Sequence, residues 1–192
     1  MSPKKITLIS IISVIVLLLI ITSAWFIGTR NKLVTLEENI NAAWSEIDNQ
    51  LQRRNDLIPN LVATVKGYAK HEREVFTQIA EARAKLAGAK TVAEKAQGYN
   101  ELQSALSRLL VVVERYPELK ADQNFIRLQD ELAGTENRIA VARKRYNDSV
   151  RIFNTKIRRF PTSIIANMIG LTKKEYFQIE EGARKAPKVS FD

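Results

Sequence analysis

Cysteine is absent from the 192 residues, which excludes a disulfide framework and thiolate metal sites. Glycine and proline are scarce, at seven and five. The chain has few places to turn, and a small number of long elements is expected. A single histidine, His71, is present, beside Glu72 and Glu74. A zinc site needs three or four ligands, and helical zinc motifs place two His four residues apart on one face. No glycine falls in a GxGxxG or GxxxxGK phosphate loop, and no serine sits in a nucleophile-elbow context. No catalytic residue, cofactor site or metal site is therefore assigned, and no enzyme activity is expected. The competing reading is a metal-dependent, membrane-associated hydrolase or hydrolase accessory using His71 and nearby carboxylates.

Charge is present in excess: formal net charge is +9. Residues 1–30 hold Lys4, Lys5 and Arg30 and no acid, leaving 27 bases against 21 acids in the rest. An excess of this size by itself suits anionic lipid, an acidic protein surface or nucleic acid about equally. Nucleic acid is not expected as a partner, because no aromatic residue is interleaved with the bases to stack on nucleotides.

The longest uncharged stretch is Ile6 to Ile27, twenty-two residues with only Ser and Thr as polar members. A helix rising about 1.5 Å per residue needs roughly 20 such residues to cross the hydrocarbon core. It also pairs its own backbone groups, as lipid requires. Trp25 sits at the end, where amphipathic rings favour the interface. Thr22-Ser23-Ala24 loosely resembles a signal-peptide cleavage site, but the apolar run continues past it, so an uncleaved single-pass anchor is expected. Lys4 and Lys5 precede the segment, and Arg30 and Lys32 follow it. The brief, doubly charged tail favours a cytoplasmic N-terminus with the soluble part extracytoplasmic, on the periplasmic side.

Beyond the anchor the apolar residues keep helical spacing. Leu36, Ile40, Trp44, Ile47, Leu51 and Ile58 form one stripe, and Leu61, Val65, Tyr68, Val75, Ile79, Ala82 and Leu86 a second with Glu72 intruding. Gly88 is a helix stop, and Thr91 with Glu94 is a capping box opening the next helix. That helix carries Tyr99, Leu102, Leu106, Leu109 and Val113 and ends at Pro117. A last long helix begins near Leu119 and closes at Phe160-Pro161. The stripe passes Pro59 without losing phase, and no glycine lies near it. Comparable helix lengths nonetheless favour a break at Leu57–Asn60, with Asp56 as cap. The expected fold is all-α: a short tail at 1–5, a transmembrane helix at 6–27, an antiparallel, up-down four-helix bundle at 31–160, and a C-terminal tail at 161–192. In the tail, Ser163 to Ile169 is expected to make two helical turns. Thr172 and Glu175 form a second capping box opening a brief helix, and Val189 and Phe191 are expected to dock.

Two charged groups stand out. Asp48, Arg53, Arg54 and Asp56 cluster around Pro59, with Arg54 on the apolar stripe, where a charge must be paired or lie at a junction. They form either a buried ion network that fixes the bend at Pro59 or a partner-docking surface. Lys144, Arg151 and Arg158 recur every seven residues, and Arg159 extends them as a basic strip toward membrane or partner.

Ala43-Trp44-Ser45-Glu46-Ile47-Asp48, and then Leu51-Gln52-Arg53-Arg54-Asn55-Asp56-Leu57-Ile58-Pro59-Asn60-Leu61-Val62, closely resemble the LemA family. So do Val65 to Ala69, His71-Glu72, Tyr99 to Leu102, Tyr116-Pro117, Glu136 to Ile139, Arg143 to Asn147 and Phe160 to Ile165. The resemblance covers nearly the whole chain. It implies one N-terminal transmembrane helix and an antiparallel four-helix bundle, and it implies no reaction, ligand or catalytic residue. It also implies a short N-terminus on the outside, opposite to the reading from the charges of the tail. A membrane-anchored scaffold or adaptor is expected, binding a protein partner or membrane surface, with anionic lipid contact and homo-oligomerisation both compatible.

Overall fold

The structure, a computed structural model, describes residues 3–178, with side chains from Ile9 onward. Six helices follow in order: α1 (Pro3–Tyr68), α2 (Arg73–Gly88), α3 (Val92–Val113), α4 (Pro117–Lys120), α5 (Gln123–Arg158) and α6 (Thr162–Met168). Among the described residues there is no strand.

The expected break at Leu57–Asn60 is absent: α1 runs unbroken from the apolar segment through Pro59 to Tyr68. Proline lacks an N–H, so the carbonyl four residues earlier, on Asn55, loses its helical donor. Arg83 supplies a replacement, its Nε donating to the Asn55 carbonyl and to Asn55 Oδ1, both at 3.2 Å. The ring of Pro59 faces solvent. The chain turns instead at Ala69–Glu72, where the charged intruder Glu72 is the N-cap residue of α2. Beyond that turn Phe76 is buried rather than Val75, while Ile79, Ala82 and Leu86 are buried as expected.

The capping box predicted at Thr91 is present in full: the Glu94 N–H donates to Thr91 Oγ1, and the Thr91 N–H donates to Glu94 Oε2. The last long helix starts at Gln123, later than expected. Pro117 opens the one-turn α4, and the Asp122 carboxylate caps α5 by accepting from the N–H groups of Asn124 and Phe125.

The chain forms two units. In the first, residues 1–41 and 149–174, the ends of α5 and α6 bury Phe153, Ile157, Ile165 and Ala166 with Leu33 and Ile40 of α1. Here α6 occupies the expected two turns. Gly170, at φ +74°, ends it in a Schellman turn: the Leu171 N–H reaches the Ala166 carbonyl and the Gly170 N–H that of Asn167.

In the second, residues 42–148 and from 175 on, Ile47, Leu51, Ile58 and Leu61 of α1 are buried. So are Ile79 and Leu86 of α2, Tyr99 and Leu102 of α3, and Ile139 and Tyr146 of α5. Glu46 and Arg54 of α1 meet Arg145 and Glu136 of α5 respectively, so the two helices run antiparallel there.

The helix expected to open at Thr172 does not form; residues 171–178 are not helical. Side chains take the backbone groups that a helix would use. Asn154 donates to the Lys174 carbonyl and accepts from its N–H, both at 2.9 Å. Asn147 does the same for Phe177, at 3.1 and 2.9 Å. Val189 and Phe191 lie outside the described residues.

Candidate functional site

The polar centre of the second unit is Arg54, only 4% exposed on the inward face of α1. A buried guanidinium must be paired, and two other helices contribute to its pairing. One terminal nitrogen forms an ion pair with Glu136 of α5. The other donates to Gln103 Oε1 of α3 at 2.5 Å. Tyr99 of α3 lies under the guanidinium, 5.3 Å from carbon to ring centroid, and its hydroxyl donates to the other Glu136 oxygen at 2.5 Å. Burial pushes the Arg54 pKa down from its ordinary value. It pushes that of Tyr99 up, with the Arg54 charge acting the other way. The network opens onto a cleft of about 380 Å³, walled by Leu61, Leu106, Leu110 and Leu132 with Glu136 at its rim.

Of the predicted cluster, Arg54 alone enters this network. Asp48 reaches sideways to Lys95 of α3 at 2.7 Å. Arg53, Asp56 and Pro59 are exposed. The group thus divides among the faces of one helix, which is unbroken at Pro59. Glu136, Tyr99 and Gln103 were not assigned from sequence. The signal was available, since an Arg on an apolar stripe requires an acid on a facing seam, and Glu136 adjoins the seam residue Thr135.

A second cluster is aromatic. Trp44 of α1 packs on Tyr146 of α5, with centroids 5.4 Å apart, and on Phe177, 5.9 Å away. Phe177 is fully buried and also meets Tyr99 at 6.3 Å. The Tyr146 hydroxyl donates to the Glu175 carbonyl, and burial, helped by the nearby Glu175 charge, pushes its pKa up to about 12.

Lys144, Arg151, Arg158 and Arg159 are exposed. His71 is exposed in the turn after α1, and its neighbour Glu72 is paired with Arg115 at 2.9 Å. Among the described residues no three His, Cys, Asp or Glu side chains are grouped to hold a metal ion, so the hydrolase reading has no ligand set there. α1 is one helix long and apolar enough to cross a membrane.

A family model described as the LemA family matches residues 43–191. The chain is 26% identical over 177 residues to magnetosome protein MamQ 2 of Paramagnetospirillum magneticum, covering 77% of this chain and 64% of that protein. It thus spans less than two thirds of that relative's length. It is 27% identical over 192 residues to magnetosome protein MamQ of Magnetospirillum gryphiswaldense, covering 86% of this chain and 70% of that one. It is 26% identical over 157 residues to protein LemA of Metamycoplasma hominis, covering 81% and 72%.

Proposed function

The chain belongs to the LemA family, and on that footing we propose that it is a non-catalytic, membrane-tethered scaffold that holds a protein partner at the bilayer. The observation that carries this reading is α1. The apolar segment that fits a single-pass anchor and the stripe that organises the second unit's core are parts of one helix, with no linker between them. A helix that both anchors and carries a core stripe ties what the core displays to the bilayer, a property useful to a scaffold. The relatives' names, two for the magnetosome and one LemA, carry no reaction.

In this reading residues 31–160 form an antiparallel four-helix bundle, and Arg54, Tyr99, Gln103 and Glu136 clamp α1, α3 and α5 together. Arg53, Asp56 and the basic residues Lys144, Arg151, Arg158 and Arg159 face outward, on the surface that a partner or lipid would meet. The soluble part lies on the side of the membrane opposite Lys4 and Lys5, extracytoplasmic. A reporter pair fused after Asp192 tests that placement: alkaline phosphatase active and green fluorescent protein dark is expected, and the reverse pattern overturns it.

In-cell crosslinking of the full chain followed by mass spectrometry tests the scaffold itself. One recurring partner protein linked to exposed lysines of the second unit is expected. Links confined to the chain itself, or stoichiometric zinc or iron in the purified full-length protein, overturn the reading.

A further inference from the structure

Along α1, every described side chain from Ile9 to Trp25 is exposed. Covering begins at Phe26, which is half-buried, continues at Thr29, and is complete at Leu33. Leu33 lies six residues past the end of the apolar run, so other protein reaches α1 close to where that helix would leave hydrocarbon. Within the first unit the described residues able to cover it are 149–174: the end of α5, α6 and the turn beyond. This group therefore packs on α1 close to the membrane interface if α1 spans.

The outer surface of the same group is not that of a helix facing water. Ile164 and Met168, four apart on α6, are 51% and 69% exposed, and Phe160, just before the helix, is 81% exposed, so the three make an apolar row along this end of the unit's surface. Its opposite face is anchored, with Thr162, Ile165 and Ala166 buried in the unit. Two exposed bases, Arg158 and Arg159, adjoin the row on one side and Lys173 on the other. Large apolar residues flanked by bases, next to a spanning segment, suit the boundary between acyl chains and anionic headgroups. Water alone would leave such a row without a partner.

We propose that Phe160, Ile164 and Met168 form an interfacial membrane-docking face, inserted into the headgroup–acyl boundary of the bilayer that α1 crosses, with Arg158 and Arg159 on anionic headgroups. This rests on the anchor reading. It adds a second, reversible attachment that fixes the tilt and rotation of the first unit against the membrane.

The test uses the absence of native cysteine. Full-length Met168→Cys and, separately, Val14→Cys are labelled with an environment-sensitive fluorophore. Each is reconstituted in phosphatidylcholine–phosphatidylglycerol vesicles, with helix content checked by circular dichroism. A nitroxide carried near the top of the acyl chain is expected to quench the Met168 label by about half or more while aqueous iodide is ineffective, as an interfacial side chain requires. Arg158→Glu with Arg159→Glu is expected to weaken that quenching in the anionic vesicles. If Val14 is quenched by lipid nitroxide but Met168 is open to iodide, the docking face is wrong and the anchor stands. Protection of Met168 from both quenchers places it against protein and also overturns the proposal. An unquenched Val14 overturns the anchor reading, and the docking face with it.

Discussion

Gly98 and Gly134 are both helical, yet what surrounds their Cα atoms sets opposite expectations. A Cβ on Gly98 would stand 2.9 Å from the Leu86 Cα and 3.1 Å from its backbone nitrogen, so α2 and α3 approach each other there through the missing side chain. Backbone cannot swing aside, and Gly98→Ala is expected to destabilise by about 1–3 kcal/mol. At Gly134 the nearest atom is the tip of Arg138 at 3.9 Å. Gly134→Ala should stabilise by roughly 0.5–1 kcal/mol through the unfolded chain's lost freedom. Urea unfolding of both variants checks the pair, and equal effects would show that the α2–α3 approach is not tight. For Arg54, truncation leaves Tyr99, Gln103 and Glu136 facing a hole. The Glu136 side chain is 40% exposed and can hydrate, so Arg54→Ala is expected to cost about 2–3 kcal/mol rather than the larger loss of a fully buried pair. Arg54→Lys keeps the charge but lacks the fork that reaches Glu136 and Gln103 together, and is expected to recover less than half of that loss. An Arg54→Ala protein that melts like the parent would instead return Arg54 to the role of a docking residue.

Pro59 shows how an element survives a residue that should end it. Its missing N–H strands the Asn55 carbonyl, and Arg83 of α2 fills the vacancy. The two positions should therefore be coupled. Arg83→Ala is expected to cost about 1–2 kcal/mol in the parent. It should cost markedly less in Pro59→Ala, where residue 59 donates to Asn55 itself. A double-mutant cycle measures this, and additive losses would remove Arg83 from the account. The same position explains what was legible in the sequence. The stripe from Leu36 to Leu61 keeps phase through Pro59, which is the mark of one helix. Comparable helix lengths and Asp56 as a cap argue for a break there, and the continuous stripe outweighs both. The actual turn at Ala69–Glu72 had its own sign, a carboxylate on the stripe at Glu72, which is the N-cap residue of α2. Asp122 ahead of Asn124 and Phe125 was likewise a readable cap. The non-helical 171–178 was not readable. Thr172 and Glu175 offer a local capping box, and it loses to Asn147 and Asn154, distant in sequence, which occupy the backbone groups a helix needs. Of the site, charged Arg54 on an apolar stripe announced itself, but which residues satisfy it depends on helix pairing that no local pattern encodes.

At the scale of the molecule, titration follows from how its ionisable groups are held. Backbone N–H groups of Lys90 and Thr91 hold the Glu94 carboxyl below its ordinary pKa. The N–H of Phe125, with the Tyr68 hydroxyl, does so for Asp122, and Lys85 does so for Glu101. In the acid range the folded chain therefore binds fewer protons than the unfolded one. The stability these groups contribute is complete above the ordinary carboxylate range and is lost as pH falls through the lowered values. The tyrosines act in the other direction. Burial raises Tyr99 and Tyr146, the latter to about 12, and the Asp122 hydrogen bond raises Tyr68. Their contribution is complete below the ordinary phenol value and disappears as pH climbs through the raised ones. The Tm of the full chain in detergent should therefore be flat between about pH 5 and 9, falling on both sides. Tyr146→Phe removes a phenol that resists ionisation and should flatten the alkaline limb while leaving the acid limb unchanged. Asp122→Asn should do the reverse, with a smaller effect on the alkaline side through Tyr68. A Tm that changes steeply around neutral pH would mean that stability is governed by a group outside these networks.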